Sequence, residues 1–209
     1  MTQGSASPSA RNWTSYYDAV GGRPPRETLL KALGAFETEG VSRGHAIDLG
    51  AGSGRDALEL LRRGWTVLAI DGEAAGLEEL KRQAAAASQL QLLKPRLSLF
   101  EELQNLPPAL LINASFSLPF CHPEAFPKLW YLIAQSLLPG GRFAGQLLGD
   151  EDDWAKEPGV TSFTRDDLDQ LFSGYQIEHL LEEKKKGTTA KGKSKFWHLY
   201  HIVLQRRAS

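Results

Sequence analysis

Ala46-Ile47-Asp48-Leu49-Gly50-Ala51-Gly52-Ser53-Gly54 follows a short apolar run and opens onto a helical pattern, and its reading decides the fold. Glycine adopts backbone angles that other residues avoid and lets the chain come close to a ligand. Open α/β sheets bind ligands beyond the carboxyl ends of their strands, at the point where strand order reverses, on a turn of this kind. Backbone N–H groups at the start of the following helix can bind an anionic group, here a carboxylate.

Outward from this turn, strand and helix patterns alternate. Residues 55–63 read as helix with Leu58, Leu60 and Leu61 apolar, 65–70 as a strand, and 73–87 as an Ala- and Leu-rich helix. A third strand falls within 89–100 although Pro95 interrupts it, and a fourth spans 109–113. Residues 123–138 read as a helix stopped by Pro139-Gly140-Gly141, and 142–148 as a fifth strand. This alternation implies right-handed crossovers and a mostly parallel, Rossmann-like doubly wound α/β sheet covered on both faces. The end of the chain differs. After a helix capped at Thr164, residues 175–184 and 195–205 read as two strands joined only by a loop, which requires an antiparallel hairpin.

Toward the N-terminus, Leu29, Leu30, Leu33 and Phe36 make an amphipathic helix, and Trp13, Tyr16, Tyr17 and Val20 suggest an earlier one. Residues 1–11 are small and polar and read as disordered. The 209 residues therefore divide into that start and a single domain over 12–209, with N-terminal helices or a lid at 12–40 and the sheet core at 43–206. The charged fraction of 23% and net charge of -1 give no global field for nucleic acid or an anionic membrane. The single cysteine, Cys121, suits a reducing compartment. No apolar leader or span of roughly 18 apolar residues is present, so a soluble, cytoplasmic protein is expected.

The spacing of the turn is G-x-G-x-G and not the G-x-G-x-x-G of dinucleotide sites. Asp48 would repel a pyrophosphate but suits an ammonium group. Asp71, ending the second strand, suits ribose hydroxyls. An amino-acid-bearing nucleoside meets both demands.

At this point the residues carry a resemblance. Asp48 to Glu73, with Gly52-Ser53-Gly54-Arg55-Asp56-Ala57-Leu58 at its centre and Gly64-Trp65-Thr66-Val67 after it, resembles the cofactor motif of class I S-adenosylmethionine methyltransferases, and among them the tellurite-resistance (TehB-like) branch. The similarity continues through Phe100-Glu101, Asn113-Ala114-Ser115-Phe116, Leu118-Pro119-Phe120 and Pro139-Gly140-Gly141, covering about residues 43 to 150. It implies a seven-stranded sheet whose final strand is antiparallel, binding of S-adenosylmethionine, and release of S-adenosylhomocysteine. Asp48, Gly50, Ala51, Gly52 and Arg55 would line the methionine side, and Asp71 and Gly72 the ribose. Phe100 and Glu101 would border the adenine, with Asn113 and Ala114 in the fourth motif. Many relatives carry an acidic residue where Asn113 stands.

The acceptor is expected to be a small molecule; chalcogen, halide, thiol, oxygen and nitrogen acceptors all stay open. Rim positions beyond the strand ends include Ser115, Phe116, Cys121 and His122, then 150–154, then 191–198 with Trp197 and His198, and Trp13, Tyr16 and Tyr17 as a lid. Tyr17, His122 and His198 are the candidate catalytic side chains. His198 and His201 lie on opposite faces of their strand, so at most one faces the site. His122 beside Cys121 is two ligands short of a metal site, and no metal is expected. The lysine-rich 182–195 stretch is either a solvated hairpin tip or a loop closing over an anionic substrate. Two other functions stay in play: cofactor binding without catalysis, and a nicotinamide-dependent oxidoreductase.

Overall fold

The computed structural model describes residues 22–189 and 192–207. The expected disordered start and the helix carrying Trp13, Tyr16 and Tyr17 lie outside the described residues, as does Lys191.

Eight strands form one sheet. In chain order these are β1 (His45–Leu49), β2 (Thr66–Asp71), β3 (Leu93–Leu97), β4 (Ala109–Ala114), β5 (Leu137–Gly149), β6 (Ser162–Phe163), β7 (Tyr175–Thr188) and β8 (Ser194–Arg206). Among the described residues the α-helices are α1 (Glu27–Thr38), α2 (Ala57–Arg62), α3 (Ala74–Ala86), α4 (Phe126–Ser136) and α5 (Arg165–Leu171). The sheet order is β3-β2-β1-β4-β5-β8-β7, with β6 paired to the end of β5. Pairings among β1 to β6 are parallel; β5–β8 and β7–β8 are antiparallel. The fold is thus the doubly wound sheet with an antiparallel terminal hairpin that the alternation implied.

Alternating side chains divide the core into two layers, because successive residues of a strand point to opposite faces. Ile47, Ile112, Phe143, Ile202 and Leu204 pack with α4 and α5, around Phe126, Trp130 and Phe172. Ala46, Leu111, Ala144 and Val203 pack on the other face, with Leu29, Ala32, Leu33 and Phe36 of α1 and with α2 and α3. In α1 the buried positions recur at helical spacing, whereas Leu30, expected among them, faces outward.

The chain departs from the sequence pattern in three places. Pro139-Gly140-Gly141 does not simply stop a helix: α4 ends at Ser136, and the triplet is a bulge inside β5, where the β4 register slips between Ala109 and Leu111. Gly140 there has φ +75°, and a Cβ on Gly141 would lie 2.8 Å from two carbonyl oxygens. The two-residue β6 was too short to leave a pattern. Finally, β7 slips against β8 between Ile177 and His179, and bulges of this kind re-aim a side chain. Here Glu178 reaches Arg142, whose guanidinium holds Glu178 at 2.7 Å and Glu39 at 2.5 Å and lies over the Phe36 ring. The buried arginine is saturated by two carboxylates and ties the end of α1 to β5 and β7.

Candidate functional site

β2 lies on one side of β1 and β4 on the other, so strand order reverses at β1 and a crevice opens at the carboxyl ends of β1 and β4. Asp48 and Asn113 are partners in register there. The Asn113 amide donates to Asp48 Oδ1 at 2.8 Å and to Asp56 Oδ2 at 3.1 Å. Asp56 Oδ1 accepts the Arg26 backbone N–H at 2.8 Å, just before α1. All three side chains are buried. Asp48 Oδ2, in contrast, makes no well-formed hydrogen bond among the described residues. Burial pushes the Asp48 carboxyl up to about 8; the charges of Asp56 and Asp71 add to this, and the Asn113 hydrogen bond and the nearby Ala57 backbone N–H oppose it.

This arrangement explains Asn113. Its two amide hydrogens reach one carboxyl group each, whereas an acidic side chain offers one donor when protonated and none when ionised. Asn113→Asp is expected to cost about 2–3 kcal/mol at pH 7, because one donor pair becomes a third carboxylate. Urea denaturation should show the loss shrinking as pH falls toward 4, since protonation restores a donor; a pH-independent loss would refute the account.

The glycine turn is held from within. Gly50 and Ala51 donate N–H to Ile70 O, Gly54 to Ala51 O, and Gly52 to Asp71 Oδ2 at 2.7 Å. These four turn amides are thus engaged within the protein, while the anion-binding expectation concerns the N–H groups at the start of α2. Asp71 also accepts the Glu73 N–H at 2.8 Å, so it braces the turn. Gly50 has φ +74°, and a Cβ there would run into Ser117, whose hydroxyl donates to Leu49 O at 2.5 Å. Gly72 is exposed against Leu99, and Phe100 is half-buried 3.6 Å from the position of a Gly50 Cβ. Glu101 accepts the His122 backbone N–H at 2.9 Å, joining the loops after β3 and β4. Ala51 and Ala114 are buried. Arg55 donates to Pro24 O at 2.6 Å and lines a cavity of about 260 Å³ with Arg23, Ser53, Glu59, Arg62 and Gln83. None of the three carboxylates Asp48, Asp56 and Asp71 lines that cavity.

Beyond β4, Phe116 has φ +56°, a conformation in which a bulky residue is strained and which concentrates at functional sites. The Arg26 guanidinium lies over its ring at 4.3 Å, and the His201 ring approaches edge-on at 6.4 Å. Beyond β5, Asp152 and Lys195 form a buried ion pair, and the ammonium sits 3.6 Å from the Trp197 ring centre and 4.3 Å from that of Trp154. Asp152 also accepts the N–H groups of Trp154 and His198, at 2.9 Å each, and Asp153 that of Phe196 at 2.7 Å.

The sequence-derived catalytic candidates are placed as follows. Tyr17 lies outside the described residues. His122 is exposed, and its Nδ1 accepts the Glu124 N–H at 3.3 Å. Its neighbour Cys121 is buried, with the thiol pushed up to about 12 first by burial and then by the Glu101 charge. His198 is buried, its Nδ1 accepting the Glu151 N–H at 3.3 Å and its Nε2 lying 3.0 Å from Glu182 Oε1. Asp150, Glu151 and His198 bring one ligand-type atom each within 4.8 Å of one another, but the His198 Nδ1 is already engaged by that N–H. Parity put His198 and His201 on opposite faces, and the structure puts His201 on the Asp48 and Asn113 face, opposite Gln146. Sequence reasoning missed Asp56, Ser117, Arg26 and Gln146. Asp56 lay inside the quoted motif, and Asp152 and Lys195 fell within the rim stretches 150–154 and 191–198 without being singled out as a pair.

The sequence matches no family model and no curated protein. Among solved structures, TehB from Haemophilus influenzae is similar with a TM-score of 0.76 at 14% identity, over 92% of this chain and 66% of that one. The chain therefore spans just under two thirds of TehB. The Burkholderia thailandensis 1,6-didemethyltoxoflavin-N1-methyltransferase, solved with 1,6-didemethyltoxoflavin and S-adenosylhomocysteine bound, is similar with a TM-score of 0.62 at 17% identity, over 99% and 93% of the two chains. A SAM-dependent methyltransferase from Methanosarcina mazei gives a TM-score of 0.62 at 16% identity, over 80% and 94%. The strand order, the reversal at β1 and the antiparallel β7–β8 hairpin, together with these likenesses, establish that the chain has the class I methyltransferase fold.

Proposed function

We propose that the protein binds S-adenosylmethionine in the crevice between β1 and β4 and transfers its methyl group to a small-molecule acceptor, leaving S-adenosylhomocysteine. The observation that carries this reading is the buried, unpartnered Oδ2 of Asp48 at the switch point. A carboxylate oxygen in that position fits an ammonium group, which supplies the missing donor and stabilises the ionised form. Asn113 and Asp56 hold Asp48 in place, and the bracing of Gly52 by Asp71 shapes the turn. A carboxylate oxygen accepts more than one hydrogen bond, so the same Asp71 can take a ribose hydroxyl. Phe100, half-buried next to Gly50, supplies an aromatic wall for the adenine, with Gly72 beside it.

The cofactor, once bound, supplies an activated methyl group; the chain binds, orients and excludes water. Three of the similar solved proteins are methyltransferases by description, one holding a small heterocyclic acceptor. No described helix is long and apolar enough to cross a membrane. We place the protein in the cytoplasm, acting as one domain over 12–209 on a small molecule without nucleic acid.

Calorimetry with S-adenosylhomocysteine and with NADH tests the site. Micromolar binding of the first and none of the second is expected. Tight NADH binding alone would replace this reading with a nicotinamide enzyme, and cofactor binding with no methylated product from any acceptor would leave a non-catalytic binding protein.

A further inference from the structure

A row of side chains continues from the cofactor crevice across the face of the sheet that α1 covers. Asp48 pairs in register with Asn113, Asn113 with Ala144, and Gln146, two residues on and so on the same face, with His201. Gln146 is 2% exposed. Its Nε2 donates to Thr28 Oγ1 of α1 at 2.8 Å, and its Oε1 meets no partner among the described residues. Whichever way the amide is turned, one polar end has no protein partner and is open to a bound molecule. His201 is partly open, with Nε2 3.6 Å from Glu183 Oε2 and its ring against Phe116. Adjacent strands lie about 4.8 Å apart, so three strand spacings, roughly 14 Å, separate Asp48 from His201 laterally.

Resting on the methyl-transfer reading, we infer that Phe116, Gln146 and His201 form the acceptor site, and that it takes a planar aromatic or heteroaromatic molecule methylated on an O–H or N–H group. The acceptor's lone pair forms the new bond to the methyl carbon while the carbon–sulfur bond breaks, its electron pair staying on sulfur. The acceptor's proton passes to Nδ1 of His201. Nε2–H faces Glu183, which orients the ring and stabilises the imidazolium, the arrangement of a base held by a carboxylate. Gln146 supplies the hydrogen bond that fixes the acceptor in its plane, and Phe116 the surface it lies against.

The charges around His201 agree with a neutral base. Burial holds its pKa below the ordinary imidazole value; Glu183 raises it, and His179 and Lys185 lower it. Arg26, over the Phe116 ring, adds a cation on the side of α1, where Glu27 and Lys31 act on His179. A halide or chalcogenide anion has no proton to give and would use neither the base nor the amide.

The test compares wild type, His201→Gln and Glu183→Gln in three measurements. These are S-adenosylhomocysteine affinity, ring-nitrogen NMR of His201 with and without a phenol probe, and methylation of phenols, benzimidazole, thiols and iodide. Wild type should bind S-adenosylhomocysteine, methylate a phenol or benzimidazole, and show a His201 Nδ1 resonance that moves on phenol addition. His201→Gln should lose about 100-fold or more in kcat with cofactor affinity within about 3-fold of wild type. Glu183→Gln should lower the His201 titration midpoint and cost less. With S-adenosylhomocysteine bound, the inference is overturned by turnover of iodide or thiols alone, by no turnover of any O–H or N–H acceptor, or by an unimpaired His201→Gln. Failure of wild type to bind S-adenosylhomocysteine overturns the cofactor reading itself.

Discussion

Asp48→Asn is expected to stabilise the ligand-free protein while weakening its hold on S-adenosylmethionine by about 30-fold or more. Both effects come from one buried carboxyl. In the folded chain its pKa is raised from 3.8 to about 8, so between those values folding takes up a proton. Stability therefore falls as pH rises from about 4 to about 8 and changes no further above that. Asparagine keeps an acceptor for Asn113 and has no charge to bury, so the variant lacks this slope. The gain should reach several kcal/mol near pH 8 and vanish near pH 3. The cofactor ammonium, in contrast, needs the ionised carboxylate. Losing a buried charge-assisted hydrogen bond corresponds to about 2–3 kcal/mol of affinity. In wild type, binding should tighten as pH rises toward 8, with a proton released into buffer. Paired denaturation and calorimetry series across pH 5–9 check both halves; a variant that binds normally would remove Asp48 from the site.

Asp152→Ala should be the most destabilising single change on the acceptor side, costing about 3–5 kcal/mol by leaving a buried cation uncompensated. Asp152 is fully buried and Lys195 is 3% exposed. Burial already holds the Lys195 ammonium below the ordinary lysine pKa even with Asp152 beside it. The substitution also strands the backbone N–H groups of Trp154 and His198. The paired change Asp152→Asn with Lys195→Met removes both charges and keeps an acceptor for one of the two N–H groups, so it should recover part of the loss. Guanidinium denaturation followed by tryptophan fluorescence reports both, because Trp154 and Trp197 flank the ammonium. A loss under about 1 kcal/mol for Asp152→Ala would mean that Lys195 finds water or another acceptor.

What the sequence disclosed follows from how far each signal reaches along the chain. The glycine spacing, Asp48, Asp71 and the terminal hairpin are local patterns, and they led to the sheet and to the place where its order reverses. Asn113 could be seen to depart from its relatives, but its reason is a contact with Asp48 and Asp56 that exists only once β4 lies beside β1. Strand periodicity separated His198 from His201 without saying which faces the crevice, since that depends on β8 pairing with β5 so that His201 meets Gln146. The acceptors that hold the glycine turn, Ile70 O and Asp71, left no local pattern because they are distant in sequence. The Pro139-Gly140-Gly141 triplet has the composition of a helix stop and also of a bulge, and only the register with Ala109 and Leu111 tells them apart.

The position of β8 between β5 and β7 also orders the assembly of the molecule in time. The crevice at Asp48 is built from β1, β2 and β4, all within residues 45–114. The acceptor side is completed only when Lys195 reaches Asp152 and His201 comes to lie opposite Gln146. During synthesis from the N-terminus the first half is available to collapse while β5 still lacks its antiparallel partner. A chain emerging in this order should therefore complete the cofactor crevice before the acceptor side, with β5 exposed as an open sheet edge in between. Aggregation during synthesis should be greatest in that interval and should be suppressed by whatever speeds the docking of the last strand.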